Sequence, residues 1–255
     1  MNTRGEENNL EGQHNITYLT RMVSLKREFH EGWTMRSSTR LLMAVFVVLS
    51  LSKAAPTTLA QNLRTVRDNT IVSEELPKAN LRIGDAFHYV GGQQVNLHSM
   101  ANAEQHLFIR GGSNGVVDAL YWIQFEHRAP RDQHTYNYQL GHTTEIGALS
   151  FVYDVKAWPD YAAGMLDDPA SDGAAISCLL AKSNLKFPQR AARVRMFHLP
   201  TPDHRTELMI IYGEAVPQDS SVPLRKDGVD LAREAPAIAR KLLDDLKAQL
   251  TIHTK

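Results

Sequence analysis

The sequence has one cysteine, Cys178, in 255 residues. No disulfide can close within the chain, so the fold has to stand on burial rather than on cross-links, even in an oxidising compartment. Net charge is also missing, because 28 Lys+Arg are set against 28 Asp+Glu. That balance removes any chain-wide attraction for nucleic acid or for an anionic membrane surface. No apolar run reaches the ~20 residues that cross a bilayer as a helix. The motifs G-x-S-x-G, H-E-x-x-H, G-x-G-x-x-G and the Walker loop are absent, and with them the usual sequence grounds for the chemistries they carry. There is no internal repeat and no low-complexity tract. Hydrophobic residues at 43% and charged residues at 22% are nevertheless ordinary for a packed domain.

The longest apolar run is Leu41–Leu51, interrupted only by Ser50 and preceded by Arg36 and Arg40. It is too short for a membrane span and has no polar stripe for a surface helix. A basic start, an apolar centre and the small residues Thr58 and Ala60 before Gln61 form an export signal over 35–60. Residues 1–34 are polar and aperiodic, and read as an upstream extension ahead of a true start at Met35. Residues 61–80 read as a polar leader segment, and 81–255 as a single domain. Without a cysteine at the cleavage point there is no lipoprotein anchor, so no stable membrane attachment is expected after cleavage. The expected location is periplasmic or secreted.

Within 81–255, runs rich in β-branched and aromatic residues are punctuated by glycine and proline turns. The clearest hairpin joins residues 104–127 through Gly111-Gly112-Ser113-Asn114-Gly115. Strands are also expected at Thr135–Leu140 and Ile146–Val155, and a second hairpin turns at Pro200–Arg205. Ala175, Ile176, Leu179 and Leu180 have helical spacing behind a loop rich in N-cap residues. Asp230–Leu250 reads as an amphipathic helix with Ile238, Leu242, Leu243, Leu246 and Leu250 along one stripe. The expected class is α+β, an antiparallel sheet of about six to eight strands with one internal helix and a C-terminal amphipathic helix packed on it. Leu208–Tyr212 is apolar on both faces, so it should lie centrally with both faces covered.

Nine histidines follow Gln61. His127, His134 and His142 cluster in sequence with Asp132 and Glu145, but in turn context they read as solvated side chains, and no metal site is expected. Cys178 reads as a buried small hydrophobe. Tyr136 and Tyr138 read as core. The candidate ligand-binding set comes from the 104–127 hairpin. Alternation places Tyr121, Ile123, Phe125, Leu107 and Ile109 on one face. The other face then collects His106, Phe108, Arg110, Trp122, Gln124 and Glu126, a mixture of aromatic and polar groups that suits a cleft. Of these, His106, Arg110, Trp122, Gln124 and Glu126 are the candidate binding residues.

The function expected is an exported binding protein for an unidentified small molecule or envelope protein, without a cofactor and without nucleic acid. A hydrolase or isomerase using Glu126 or His106 as general base is the first alternative. A structural or assembly factor of the envelope is the second. The export reading has a direct consequence: N-terminal sequencing of protein recovered outside the cytoplasm of a bacterial host should begin at Gln61 or within a few residues of it. Intact chains starting at Met1 in the cytoplasm would refute it.

Overall fold

The computed structural model describes residues 64–164, 166 and 168–255, so the export segment at 35–60 and the residues before it lie outside the described residues. The described chain opens with a meander of short strands, β1 (Arg64–Arg67), β2 (Thr70–Ser73) and β3 (Ala79–Ile83). Asp68 and Asn69 turn β1 into β2 with φ of 47° and 56°, a left-handed pair that these two residue types tolerate and that suits the twist of a hairpin. The stretch 61–80, expected to be a leader, therefore contributes strands. Each has only four or five residues, too few for alternation to stand out from the flanking polar sequence.

The larger sheet is built from β4 (His88–Leu97), β5 (Ala101–Gly111), β6 (Val117–Arg128), β7 (His142–Ile146), β8 (Leu149–Trp158), β9 (Ala191–His198), β10 (Thr206–Ala215) and β11 (Val229–Asp230). Its order is β11-β8-β9-β10-β6-β5-β4, with β7 paired to β8, and the neighbours are antiparallel. The fold is thus sheet-rich, antiparallel and broadly α+β. It differs from the expected single sheet in one respect: a final strand, β12 (Leu250–Thr254), pairs with β3 and completes a separate four-stranded sheet of order β1-β2-β3-β12.

Four helical segments connect these strands: α1 (Tyr161–Gly164), α2 (Asp172–Lys182), α3 (Leu231–Glu234) and α4 (Pro236–Gln249). Ser171 caps α2, its Oγ accepting from the Ala174 amide at 3.1 Å. The expected continuous helix from Asp230 is broken at Ala235 (φ −146°, ψ 63°), because a residue before proline is driven out of the helical region. Pro236 then sits at the start of α4, where its missing N–H costs nothing. None of the described helices is long and apolar enough to cross a membrane.

The large sheet is covered on both faces. One core joins Phe108, Tyr121, Ile123, Phe125 and Leu208 to Ile71, Leu81 and Ile252 of the small sheet and to Leu242 and Leu246 of α4. The other joins Leu107, Ile109, Trp122 and Ile211 to Ile176 and Leu180 of α2. β10 is central, between β6 and β9, and its run Leu208–Tyr212 is buried throughout. Residues 135–140, expected as a strand, pair with nothing in a ladder; they run across the second face, where Tyr138 stacks on Phe197 at 3.7 Å between ring centroids. Cys178, expected to be buried, is exposed, because it falls off the Ile176–Leu179–Leu180 stripe of α2.

The turn between β7 and β8 meets the small sheet closely. At Gly147 φ is +59°, and a Cβ there would lie 2.2 Å from the Ile252 carbonyl oxygen, so no side chain fits. In α4, Leu242 is 5% exposed, and Leu242→Ala should cost about 2–5 kcal/mol in urea unfolding. A loss under about 0.5 kcal/mol would mean that α4 does not pack on the sheet.

Candidate functional site

Register decides which side chains share a face. In the 104–127 hairpin Leu107 pairs with Trp122, His106 with Ile123 and Glu104 with Phe125, so odd residues of β5 lie with even residues of β6. The five candidate residues are consequently divided. His106 and Arg110 share the face of Phe108, Tyr121 and Phe125, towards the small sheet. Trp122, Gln124 and Glu126 share the opposite face with Leu107 and Ile109, towards α2. The division follows from the bulge at Arg110/Gly111 and the turn beyond it, which fix parity and leave no trace in the alternation of either strand alone.

On the α2 face, Gln93, Gln105, Gln124 and Met209 form one transverse row across β4, β5, β6 and β10. Gln93 Nε2 donates to Gln105 Oε1 at 2.8 Å, and Gln105 Nε2 donates to Gln124 Oε1 at 2.8 Å. The same Gln124 oxygen accepts from Trp122 Nε1 at 3.1 Å, and Gln124 Nε2 donates to Glu126 Oε2 at 2.7 Å. Tyr136 completes the ladder, its hydroxyl donating to Glu126 Oε1 at 2.6 Å. Glu207, directly opposite Glu126 in the register, accepts from the Tyr138 hydroxyl. The ladder is closed: the side chains of Trp122, Gln124 and Glu126 bond to one another and to their neighbours.

Two carboxyls side by side without a cation between them should not both ionise. Burial first, then the neighbouring Glu126, pushes Glu207 up to about 8. Burial likewise raises Glu126, against the bonds it accepts from Tyr136 and Gln124. Tyr136 and Tyr138, expected as core, also supply these donors; the signal for this in the sequence is a pair of tyrosines two residues apart with glutamates on the neighbouring strands.

On the opposite face a second polar group forms around Glu104. Arg64 Nη1 donates to Glu104 Oε2 at 3.0 Å, with both side chains under a tenth exposed. Arg64 also donates through Nε to Ser73 Oγ at 3.1 Å and through Nη2 to the Leu76 carbonyl at 3.0 Å, and its guanidinium lies 3.7 Å over the Phe125 ring. Glu104 Oε1 meets His106 Nε2 at 2.9 Å, and His106 Nδ1 meets the Tyr89 hydroxyl at 3.1 Å. Burial alone would raise Glu104, but the His106 bond and the Arg64 charge outweigh it and its pKa falls below the usual carboxylate value. An ionised Glu104 only accepts, so the Nε2 of His106 that faces it carries a proton, and the Tyr89 hydroxyl meets the other ring nitrogen. Burial and the Glu104 charge push the Tyr89 phenol up to about 12. A bulge between Tyr89 and Gly91 puts Tyr89 and Gly92 on one face. A Cβ at Gly92 would stand 2.6 Å from the Tyr89 oxygen, so glycine there is what lets the phenol reach the imidazole.

Beside this group lies a cavity of about 780 Å³. Arg64, Glu75 and Leu76 wall it on the side of the small sheet, and Gln94, Asn102, Glu104, Phe125, His127 and Thr206 on the side of the large one. None of the five candidates except Glu126 touches it, and the Glu126 carboxyl is turned to the other face. Arg110 lies farther along β5, paired with Glu214 at 3.2 Å, by a separate small cavity of about 220 Å³. The histidines of the sequence cluster have local partners: His134 Nδ1 with Asp132 Oδ1 at 2.6 Å, and His127 Nδ1 with Thr206 Oγ1 at 2.9 Å. Among the described residues no group of three or more His, Cys, Asp or Glu could hold a metal ion.

The raised carboxyls give a pH dependence with a definite sign. Glu207 keeps its proton in the native state up to about pH 8, whereas an unfolded glutamate releases it near about 4.3. Its contribution to stability is full below the lower value and is lost as pH rises through the higher one. Urea midpoints should therefore fall between about pH 5 and pH 8, and Glu207→Gln should flatten that fall. A wild-type midpoint that rises across the interval would show that Glu207 is ionised in the native fold.

Comparison of the chain with known protein families, curated proteins and solved structures finds no match, so its function is read from the chemistry of its own side chains.

Proposed function

We propose that the chain is an exported binding protein that takes a neutral, amphipathic small molecule into the cavity between the two sheets. The observation that carries this reading is the cavity itself. Its volume of about 780 Å³ is that of a small-molecule site, and apolar wall alternates with a few fixed polar groups, as such sites require. Arg64 and Glu104 already neutralise each other, which argues against a strongly charged ligand. The apolar wall at Leu76 and Phe125, with the amides of Gln94 and Asn102, suits a molecule with an apolar body and hydrogen-bonding substituents.

The alternatives have less support. A hydrolase or isomerase with Glu126 or His106 as general base would be favoured by the two in one concave pocket, but they lie on opposite faces of the sheet. His106 is 4% exposed and held on both ring nitrogens, so it meets no substrate directly. For an assembly factor, a broad apolar patch would be expected. Among the described residues the exposed large hydrophobics are Leu76, Met100 and Leu166, and Leu76 belongs to the cavity wall.

A fluorescence titration with the neutral probe N-phenyl-1-naphthylamine tests the site. Saturable binding at one site is expected. Thr206→Trp, which fills the cavity from β10, should weaken it at least about tenfold, a loss of 1.4 kcal/mol or more, with the melting temperature held. Equal binding by both proteins would place the probe elsewhere and remove the support for this reading.

A further inference from the structure

The α2 face of the large sheet carries a second site, remote from the cavity. In register, Asp154 pairs with Arg195, Lys156 with Arg193 and Trp158 with Ala191, so these side chains share one face of the adjacent strands β8 and β9. On this part of the face Arg195 stands beside Ile211 and Arg193 beside Gly213 of β10. Three cations thus meet one carboxylate. Arg195 Nη2 donates to Asp154 Oδ2 at 2.6 Å, which accounts for one positive charge. Lys156 and Arg193 form no ion pair among the described residues, and they stand directly opposite each other, an arrangement that destabilises a sheet when nothing lies between the charges.

The hydrogen bonds around these cations are also incomplete. Arg193 Nε, Arg195 Nε and the hydroxyl of Tyr161 are buried without a partner, as is Oδ1 of Asp154; Tyr161 is 5% exposed at the start of α1. Burial raises the Tyr161 phenol, while the charge of Arg193, its approach to the hydroxyl as a hydrogen-bond donor and the charge of Arg195 pull the other way. The phenol is thus a protonated donor held next to two guanidiniums. Both guanidiniums are fixed by aromatic rings, Arg193 at 4.7 Å over Trp158 and Arg195 at 5.0 Å over Phe197. Such stacking leaves the planar edge of a guanidinium free to face an oxyanion, which it can grip with two parallel bonds. The carboxylate Asp172, which also acts on Tyr161, is occupied at the start of α2, where it accepts from the Gly173 amide at 2.7 Å.

We infer that Lys156, Arg193, Arg195 and the Tyr161 hydroxyl form a binding site for a phosphate-type oxyanion, either free or as a monoester. Such an anion separates Lys156 from Arg193, supplies the acceptors the guanidiniums lack and takes the Tyr161 proton donor. Asp154 keeps Arg195 in place and limits the site to one anion. The flanking Trp158 ring offers apolar surface to an organic substituent.

Thermal unfolding at constant ionic strength, with chloride replaced by inorganic phosphate or by glycerol 3-phosphate, tests the site. The wild-type melting temperature should rise with either probe at millimolar concentration. The rise should disappear in Arg193→Gln and shrink in Lys156→Gln, the more conservative change should Arg193→Gln fold poorly. Lys156→Gln should also melt higher than wild type in chloride alone, because it removes the facing charge. A larger rise with glycerol 3-phosphate assigns the site to an esterified phosphate, and equal rises assign it to the free anion. No rise beyond that in chloride, or a rise that both variants retain, overturns the proposal. The Thr206→Trp cavity variant should keep the full response, so failure of one site is separable from failure of the other.

Discussion

The buried pair of Arg64 with Glu104 is the contact on which the arrangement of the two sheets turns. Arg64 is the first residue of β1 and Glu104 lies within β5, so a single ion pair at 3.0 Å ties the small sheet to the large one at the rim of the cavity. Taking both charges out of water is expensive, and the return depends on every remaining donor finding a partner. Ser73, the Leu76 carbonyl and the Phe125 ring on the arginine side, with His106 and Tyr89 on the glutamate side, provide those partners. The pair therefore fixes position more than it adds stability. A purely apolar contact there would let the short strands β1 and β2 slide, whereas an arginine with three directed bonds permits one seat.

The same logic runs along the opposite face with the charges removed. Gln93, Gln105 and Gln124 pass hydrogen bonds from strand to strand towards Glu126, and the tyrosines at 136 and 138 cap the two glutamates. Burial there favours the protonated carboxyl, while burial around Glu104 is overcome by the bond from His106 together with the Arg64 charge. Two glutamates on neighbouring strands, Glu104 and Glu126, thus have pKa values moved in opposite directions, Glu126 upward chiefly by burial and Glu104 downward by its bond to His106 and the charge of Arg64.

Much of the fold was legible in the residues. The hairpins about Gly111–Gly115 and Pro200–Arg205, the central place of Leu208–Tyr212 and the packing stripe of α4 all follow from periodicity and turn chemistry. The candidate site was legible only in part. That β5 and β6 carry functional-looking polar groups could be read from alternation, but which residues of one strand share a face with which of the other is a question of parity. A one-residue bulge at Gly111 reverses the answer. The cavity was out of reach for a different reason: one side of its wall comes from Arg64, Glu75 and Leu76, in strands and turns too short to show a period. The partners of Glu126 lay in a segment, 135–140, whose alternation reads as a strand although it pairs with none.

Sheet order has a consequence for when the cavity can exist. β3 lies between β2 and β12, so the small sheet, whose other edge strand carries Arg64, has its four strands only when residues 250–254 return to the beginning of the described chain. Pairings between such distant segments form late, after the local hairpins of the large sheet. A nascent chain that has not yet supplied its last strand can hold β4 to β10 together and still have no closed pocket. On the function proposed above, binding belongs to the fold with both sheets complete, and a chain caught before β12 pairs would be recognisable by its inability to take up the probe.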